Sequence, residues 1–422
     1  MTDPVDSTLS TVVIGAGQAG FEVCAKLREL GMTGPITLIG SEQHAPYQRP
    51  PLSKAYLLGK MELARLFLRP LPFYDDMDIT LKLGCDCVAI DREAKTVVLG
   101  DGTRVGYDRL VLATGASPIQ LPDAIGGGLG RVHCMRSLAD ADALATRFVP
   151  GQHALIIGGG YIGLEAAAVG AALGMKVTLV EASTRILKRV AATETARYFR
   201  DLHKSHGVDI REGVTVMRLT GDTSVTGAEL SDGSVLDVDV VVVGIGVRPN
   251  IDLAKAAGLE IENGIKVDAA CITSDPAILA VGDCASFPHA GGRIRLESVG
   301  NAIDQARAAA EAITGAQTQY TVKPWFWSDQ YDVKLQIVGL SQGYDRVVAR
   351  ACDDGRASYW YYAADQLIAV DAMNDPRAYM VAKRLIDNGK SVDPNLVSDP
   401  NVDVRSLLQR VRMDGFHAAL LH

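Results

Sequence analysis

The sequence predicts an α/β protein: two three-layer halves built on parallel sheets, then a C-terminal α+β domain with an antiparallel sheet. Three observations carry this. The pattern strand, Gly-x-Gly-x-x-Gly, helix occurs twice, at Gly15-x-Gly17-x-x-Gly20 and Gly158-x-Gly160-x-x-Gly163. Each copy is followed by a hairpin signal (Asp101-Gly102, Asp232-Gly233) and an apolar strand that stops in glycine (Arg109 to Gly115, Val240 to Gly246). From residue 325 to 370, Trp, Tyr and β-branched residues accumulate, as they do in antiparallel strands. The repeat, 11–115 and 154–246, implies duplicated Rossmann-like dinucleotide-binding domains. The expected domains are 1–115 with 247–324, 116–246, and 325–422.

The elements follow in order. Thr11 to Ile14 reads as a buried strand, and Ala19, Val23, Leu27 and Leu30 recur at helical spacing. Gly31 and Gly34-Pro35 end that helix before a second strand, Ile36 to Ile39. The loop from Gln43 to Ser53 holds Pro46, Pro50 and Pro51, which fix an extended backbone around Tyr47, Arg49 and Lys54. Pro118, Pro122 and Gly126-Gly127-Gly128 read as a linker between the halves. Ile278 to Val281 is a further buried strand, ending in Gly282-Asp283, and a helical tail begins near Ala378.

Composition narrows the function. The 422 residues are 48% hydrophobic and 22% charged, ordinary for a soluble globular protein. A net charge of −8 argues against a general nucleic-acid binder. The seven cysteines (Cys24, Cys85, Cys87, Cys134, Cys271, Cys284, Cys352) form no Cys-x-x-Cys pair and no zinc spacing. That suits a reducing cytosol. The first ten residues show no signal peptide, and the most apolar run, Val240 to Val247, is far short of the roughly 20 residues that span a bilayer. A soluble cytoplasmic protein, with no bound metal and no membrane partner, is expected.

In each glycine motif the first glycine allows a tight turn. The second lets the backbone approach a pyrophosphate, and the third lets the helix pack on the sheet. The helix N-terminus then offers free N–H groups to the phosphates. An acid at the end of the second strand completes such a site by binding the ribose hydroxyls. In the second half that acid is Glu181, 18 residues past Gly163, and it favours NADH over NADPH by repelling a 2′-phosphate. Arg185 and Arg189 could blur that choice. In the first half the strand ends Ile39-Gly40-Ser41-Glu42, so Glu42 is a displaced candidate, or a solvated loop residue. Asp283 is placed to bond a ligand's polar chain, or to cap a helix. Glu165 lies on an apolar helix, among Leu164 and Ala166 to Ala168. It serves the helix dipole, or if buried needs a partner. Lys54, otherwise an exposed lysine, is the expected partner. Trp325-Phe326-Trp327 is core or the wall of a cofactor pocket.

These residues resemble the two-dinucleotide-binding flavoprotein superfamily. More narrowly, the chain is similar to the FAD-dependent, NADH-linked ferredoxin reductases of bacterial oxygenase systems, the putidaredoxin reductase group. The match runs over nearly the whole chain. It includes both glycine motifs, Arg49-Pro50-Pro51-Leu52-Ser53-Lys54, Ala113-Thr114-Gly115, Thr273-Ser274-Asp275-Pro276, Ala280-Val281-Gly282-Asp283-Cys284 and Pro324-Trp325-Phe326-Trp327-Ser328-Asp329-Gln330. The Arg-Pro-Pro-Leu-Ser-Lys and Trp-Phe-Trp-Ser-Asp-Gln stretches are the more specific.

The resemblance implies that FAD is held by Gly15, Gly17, Gly20, Glu42, Arg49, Lys54, Ala113, Thr114, Gly115, Asp283, Val299 and Trp327. It assigns NADH to Gly158, Gly160, Tyr161, Ile162, Gly163, Glu181, Gly244, Gly246 and Glu297. Lys54 and Glu165 then pair near flavin N5 as the catalytic residues. NADH gives a hydride to the flavin, which passes single electrons to a [2Fe–2S] ferredoxin feeding an oxygenase, a haem monooxygenase by preference. Ferredoxins are acidic, so a local basic patch is expected. Arg307 and Lys334 are its first candidates, with Arg65, Arg69, Arg293 and Arg295. A monomer or weak dimer is expected. Rubredoxin reductase and monodehydroascorbate reductase share this machinery and stay open, as does an NADH sensor resembling apoptosis-inducing factor, which would turn over slowly. A disulfide reductase or a cysteine-dependent peroxidase needs a cysteine near the flavin, and residues 41–60 contain none.

Overall fold

The computed structural model describes residues 7–351 and 355–412; Cys352 lies outside them. The described chain forms two compact units. The first comprises the chain up to Pro51, Met61–Ser117 and Val247–Val322, and the second Leu52–Lys60, Pro118–Gly246 and the chain from Lys323.

The first unit is built on a five-stranded sheet in the order Ile278–Ala280, Arg109–Leu112, Thr11–Ile14, Ile36–Gly40, Ile79–Leu83. All its neighbours are parallel. Successive side chains of a strand point to opposite faces, and both faces are covered here. Val13, Leu38, Val111 and Leu279 pack against the helices Gln18–Glu29 and Val299–Ile313. Their neighbours Val12, Ile14, Ile39, Leu110, Leu112, Ile278 and Ala280 pack on the other side with Val97 and Leu99, from a three-stranded antiparallel meander (Cys87–Asp91, Thr96–Leu99, Arg104–Gly106). Strands buried on both faces explain why the sequence there is continuously apolar rather than alternating. One expectation is corrected: Leu30 does not belong to the buried helix face. The helix ends at Glu29, Gly31 turns the chain with φ +84°, and Leu30 is left 39% exposed.

The second unit repeats the design. Its parallel sheet runs Asp209–Glu212, Lys176–Glu181, His153–Ile157, Val240–Val243, Val132–Cys134. The meander Val216–Thr220, Gly227–Leu230, Val235–Asp237 packs on Leu155, Ile157, Val180, Val241 and Val243. In both units the glycine-loop strand is central. The fifth strand differs in origin: Ile278–Ala280 comes from late in the chain, Val132–Cys134 from before the second glycine loop. The second unit also holds a five-stranded antiparallel sheet, in the order Trp325–Gln330, Val333–Gly339, Gln366–Met373, Ala357–Ala363, Arg346–Ala351. The helix Pro376–Ile386 packs on it through Ala378, Val381, Ala382 and Leu385. This is the α/β architecture with a C-terminal antiparallel sheet that the sequence predicts. Among the described residues no helix is long and apolar enough to cross a membrane.

Candidate functional site

The two glycine loops are built alike, and their glycines are required for different reasons. Gly15 (φ +114°) and Gly158 (φ +106°) have a backbone that side chains rarely adopt. A Cβ on them would strike the carbonyl oxygens of Ala113 and Gly244 at 2.1 and 2.4 Å. Ala113 and Gly244 thus buttress the loops from the neighbouring strand. A Cβ on Gly20 or Gly163 would meet the carbonyl of Gly15 or Gly158 at 1.9 or 2.0 Å, so these glycines let helix and loop close up. The middle glycines are otherwise. Gly17 and Gly160 have ordinary negative φ, and a Cβ on either would meet nothing within 4 Å. Among the described residues no atom fills that space. Each is also the N-cap of its helix, with no side-chain cap and no acid in the first turn, so first-turn N–H groups are left to an external acceptor. Both loops therefore fit a pyrophosphate.

At the second loop, Glu181 Oε2 accepts from the Gly159 N–H at 2.7 Å and Oε1 from the Ser183 N–H at 2.6 Å. Its carboxylate is thereby fixed at the glycine loop. Arg185 is committed elsewhere: it donates to the carbonyl of Ala191 at 2.7 Å, closing its own loop. The Arg189 guanidinium lies beside Gly246. Tyr161, first in the helix Tyr161–Ala172, packs its ring 4.7 Å from that of Phe326. Its hydroxyl is buried with no hydrogen-bond partner among the described residues. Ile162 beside it is an exposed apolar residue.

In the first unit, Glu42 accepts from Tyr47 Oη and Arg49 Nη2, both at 2.6 Å. Burial opposes its charge, but the Arg49 guanidinium and the two hydrogen bonds hold Glu42 below the usual carboxylate range. Thr114 Oγ1 donates to the carbonyl of Asn250, whose side chain donates back to the Thr114 carbonyl, and the Gly115 carbonyl accepts from the Asn250 N–H. Asp283 stands in the short helix Gly282–Cys284, its carbonyl accepting from Arg295, and Arg295 also pairs with Glu297 at 2.5 Å. Val299 opens its helix behind the Ser298 cap. Arg307 is 54% exposed and paired with Glu22 at 2.7 Å.

The densest chemistry lies in the second unit. Glu165 is the fifth residue of its helix, past the turn where a dipole role would apply, and only 3% exposed. Lys54 Nζ reaches its Oε2 at 2.8 Å, the lysine side chain being 13% exposed. Ser53 Oγ donates to Oε2 at 2.5 Å and Ser328 Oγ to Oε1 at 2.6 Å. The expected Lys54–Glu165 pair therefore forms, with both carboxylate oxygens satisfied. Neither serine was singled out from sequence. The available signal was position: Ser53 precedes Lys54 in the proline-rich stretch, and Ser328 and Gln330 are polar residues two apart on one buried strand face. Trp327, before Ser328, is half-buried and stacks on Trp325 with ring centres 5.5 Å apart. Lys334 is exposed on the next strand.

Comparison with known proteins agrees with this geometry. Residues 9–309 match the pyridine nucleotide-disulphide oxidoreductase family and residues 325–408 the reductase C-terminal family. Rhodocoxin reductase of Rhodococcus erythropolis is 43% identical over 406 residues, covering 95% of each chain. Putidaredoxin reductase of Pseudomonas putida is 40% identical over 413 residues, covering 96% of this chain and 98% of the relative. The reductase in the solved covalent putidaredoxin reductase–putidaredoxin complex superposes with a TM-score of 0.92, at 40% identity, over 96% of this chain and 99% of that one. The chain belongs to the pyridine nucleotide-disulphide oxidoreductase family, in its group of ferredoxin reductases of oxygenase systems.

Proposed function

We propose that the chain is an FAD-containing reductase that takes a hydride from NADH and passes single electrons to a [2Fe–2S] ferredoxin serving an oxygenase. The observation that supports this best is the pair of glycine loops whose middle glycines face open space above uncapped helix N-termini. One such loop would serve a single dinucleotide; two serve a cofactor and a co-substrate. FAD, when bound, accepts an electron pair as hydride and releases electrons singly.

The protein's own residues do the rest. Gly15, Gly17 and Gly20 with Ala113, Thr114, Gly115, Asp283 and Val299 cradle FAD, while Glu42 and Arg49 order the neighbouring loop. Gly158, Gly160 and Gly163 with Tyr161, Glu181, Gly244 and Gly246 hold NADH. Glu181, already fixed by Gly159 and Ser183, presents a charge that disfavours a 2′-phosphate. We assign Lys54 and Glu165 to the reacting end of the flavin, where a nearly dry ion pair provides a fixed local charge. Trp327 and Glu297 complete the cofactor surroundings, and Arg307 and Lys334 serve ferredoxin docking. An NADH-consuming reductase of this kind suits the cytoplasm. The test is NADH-dependent cytochrome c reduction by the purified protein, with and without a panel of [2Fe–2S] ferredoxins. Turnover is expected to rise sharply with one of them; no flavin, or no acceleration by any ferredoxin, would overturn the proposal.

A further inference from the structure

Glu165 ends a longer run of hydrogen bonds within the second unit. Ser328 Oγ lies 2.6 Å from Glu165 Oε1, Gln330 Nε2 3.1 Å from Ser328 Oγ, His203 Nε2 2.8 Å from Gln330 Oε1, and Tyr331 Oη 3.0 Å from His203 Nδ1. Ser328, Gln330 and His203 are fully buried. At the far end the Tyr331 ring stacks on the exposed His206, with centres 3.7 Å apart and planes 13° apart.

The charge at one end dictates the direction of the bonds as far as the imidazole ring. A carboxylate paired with Lys54 only accepts, so Ser328 donates to it. The serine oxygen is then an acceptor, and Gln330 must turn its NH2 group toward it. The amide oxygen therefore faces His203, and the ring must carry its proton on Nε2. Nδ1 is left bare and takes the hydrogen bond of the Tyr331 hydroxyl. This last direction holds for the neutral ring; in an imidazolium the bond would reverse, with Nδ1–H donating to the tyrosine oxygen. Burial favours the neutral ring and pushes the His203 pKa down to about 4, against the opposing hydrogen bond to Gln330.

The backbone supplies an independent observation. Tyr331 sits in the two-residue turn between the strands Trp325–Gln330 and Val333–Gly339 with φ +56°. A bulky residue rarely adopts that conformation, and Gly or Asn would serve the turn alone with less strain. The tyrosine instead delivers its hydroxyl to His203. Strained residues of this kind persist where their surroundings over-determine them.

We propose that Ser328, Gln330, His203 and Tyr331 are a one-way chain of positioning residues that fixes the Glu165 carboxylate, and through it Lys54, for hydride transfer. Holding Oε1 through Ser328 leaves Oε2 to Ser53 and Lys54 and allows one carboxylate orientation. The chain ties the helix Thr193–Ser205 and the antiparallel sheet to the charge pair. This role rests on the flavin reading of the Lys54–Glu165 site.

The experiment uses the FAD-loaded protein labelled with ¹⁵N in its histidines. At pH 7 His203 is expected to be neutral, with Nε2 protonated and Nδ1 bare. Gln330→Met keeps the size of the side chain and removes the amide. It should release the ring into a tautomer mixture and slow NADH reduction of the flavin about fivefold in stopped flow, the loss expected for one neutral hydrogen bond, with NADH affinity unchanged. Ser328→Ala should slow the step likewise, and Ser328→Thr should restore it. A wild-type ring protonated on Nδ1 or on both nitrogens would overturn the chain, as would a Gln330→Met protein with unaltered tautomer and rate. A wild-type protein that NADH cannot reduce would overturn the flavin reading and the proposed purpose, while the tautomer measurement would still judge the chain itself.

Discussion

The Lys54 ammonium meets the Glu165 carboxylate at 2.8 Å, and the carboxylate is almost completely removed from water. Taking away the cation leaves a buried charge answered, among the described residues, by the hydroxyls of Ser53 and Ser328. Lys54→Met is expected to cost about 3–5 kcal/mol of stability and to slow flavin reduction by NADH. The double variant Lys54→Met/Glu165→Leu should recover much of the stability but not the rate. Urea unfolding and stopped-flow reduction check both; an unchanged rate and flavin potential in the single variant would remove the pair from the mechanism.

The glycines separate folding from binding. Gly17→Ala and Gly160→Ala place a methyl in empty space on permitted backbone, so melting of the unliganded protein should not fall. Dinucleotide binding should weaken roughly tenfold or more, because the methyl occupies the place of a phosphate. Gly163→Ala drives a methyl into the Gly158 carbonyl and should destabilise the fold itself. Calorimetry with and without the dinucleotide of the loop concerned, FAD for Gly17→Ala and NADH for Gly160→Ala and Gly163→Ala, distinguishes the two classes.

Glu181→Gln keeps an acceptor for one of the Gly159 and Ser183 N–H groups, which now use separate carboxylate oxygens, and removes the charge. NADH affinity should drop modestly, while the preference over NADPH should shrink roughly tenfold, since the repulsion of a 2′-phosphate is lost. Steady-state kinetics with both nucleotides measures this. An unaltered preference would show that discrimination resides elsewhere, with Arg189 the next position to vary.

Two buried groups give acid stability opposite signs. His203 titrates near 4 in the fold, against an ordinary value of 6.5. The unfolded chain therefore binds the extra proton between those values, and its contribution falls by about 3 kcal/mol as pH drops from 6.5 to 4. Asp371, buried and hydrogen-bonded by Tyr361 and Thr195, is pushed up by that burial to about 6 from 3.8. The folded chain binds its proton first, so this contribution grows by about 3 kcal/mol as pH drops from 6 to 3.8. Asp371→Asn removes the compensating term. Its stability should fall more steeply than wild type between pH 6.5 and 4.5, and His203→Gln should fall less steeply. Denaturant midpoints at several pH values test the signs.

Ferredoxin reduction should slow as ionic strength rises, because steering between charged surfaces is screened beyond about 8–10 Å. Arg307→Gln should lower the association rate and flatten the salt dependence, while leaving reduction of the flavin by NADH unchanged. A ferredoxin rate indifferent to salt would discard Arg307 and Lys334 as docking residues.

Much was legible in the chain because it is local. The loops at Gly15 and Gly158, the hairpins at Asp101-Gly102 and Asp232-Gly233, and the strands ending at Gly115 and Gly246 are signals a few residues long. They are repeated in the same order, and the duplicated sheets follow from them. Glu181 was equally legible, since it stands at a set distance after its loop. Leu30 was misplaced because helical spacing continues past a point where Gly31 ends the helix.

By itself, then, the sequence determined the duplicated dinucleotide fold, the identity of its loops and the acid at the second. These rest on backbone conformation and on periodic burial, which neighbouring residues impose. Only the tertiary structure decided what surrounds Glu165. Ser53 and Lys54 come from the proline-rich stretch, Ser328 and Gln330 from the antiparallel sheet, and His203 from the helix Thr193–Ser205. A buried carboxylate must be answered by donors wherever the chain can bring them, and nothing in the spacing of those segments says which side chains arrive. It also decided that Arg185 closes its own loop and that Tyr331 delivers its hydroxyl inward, because hydrogen-bond direction is set by partners in space.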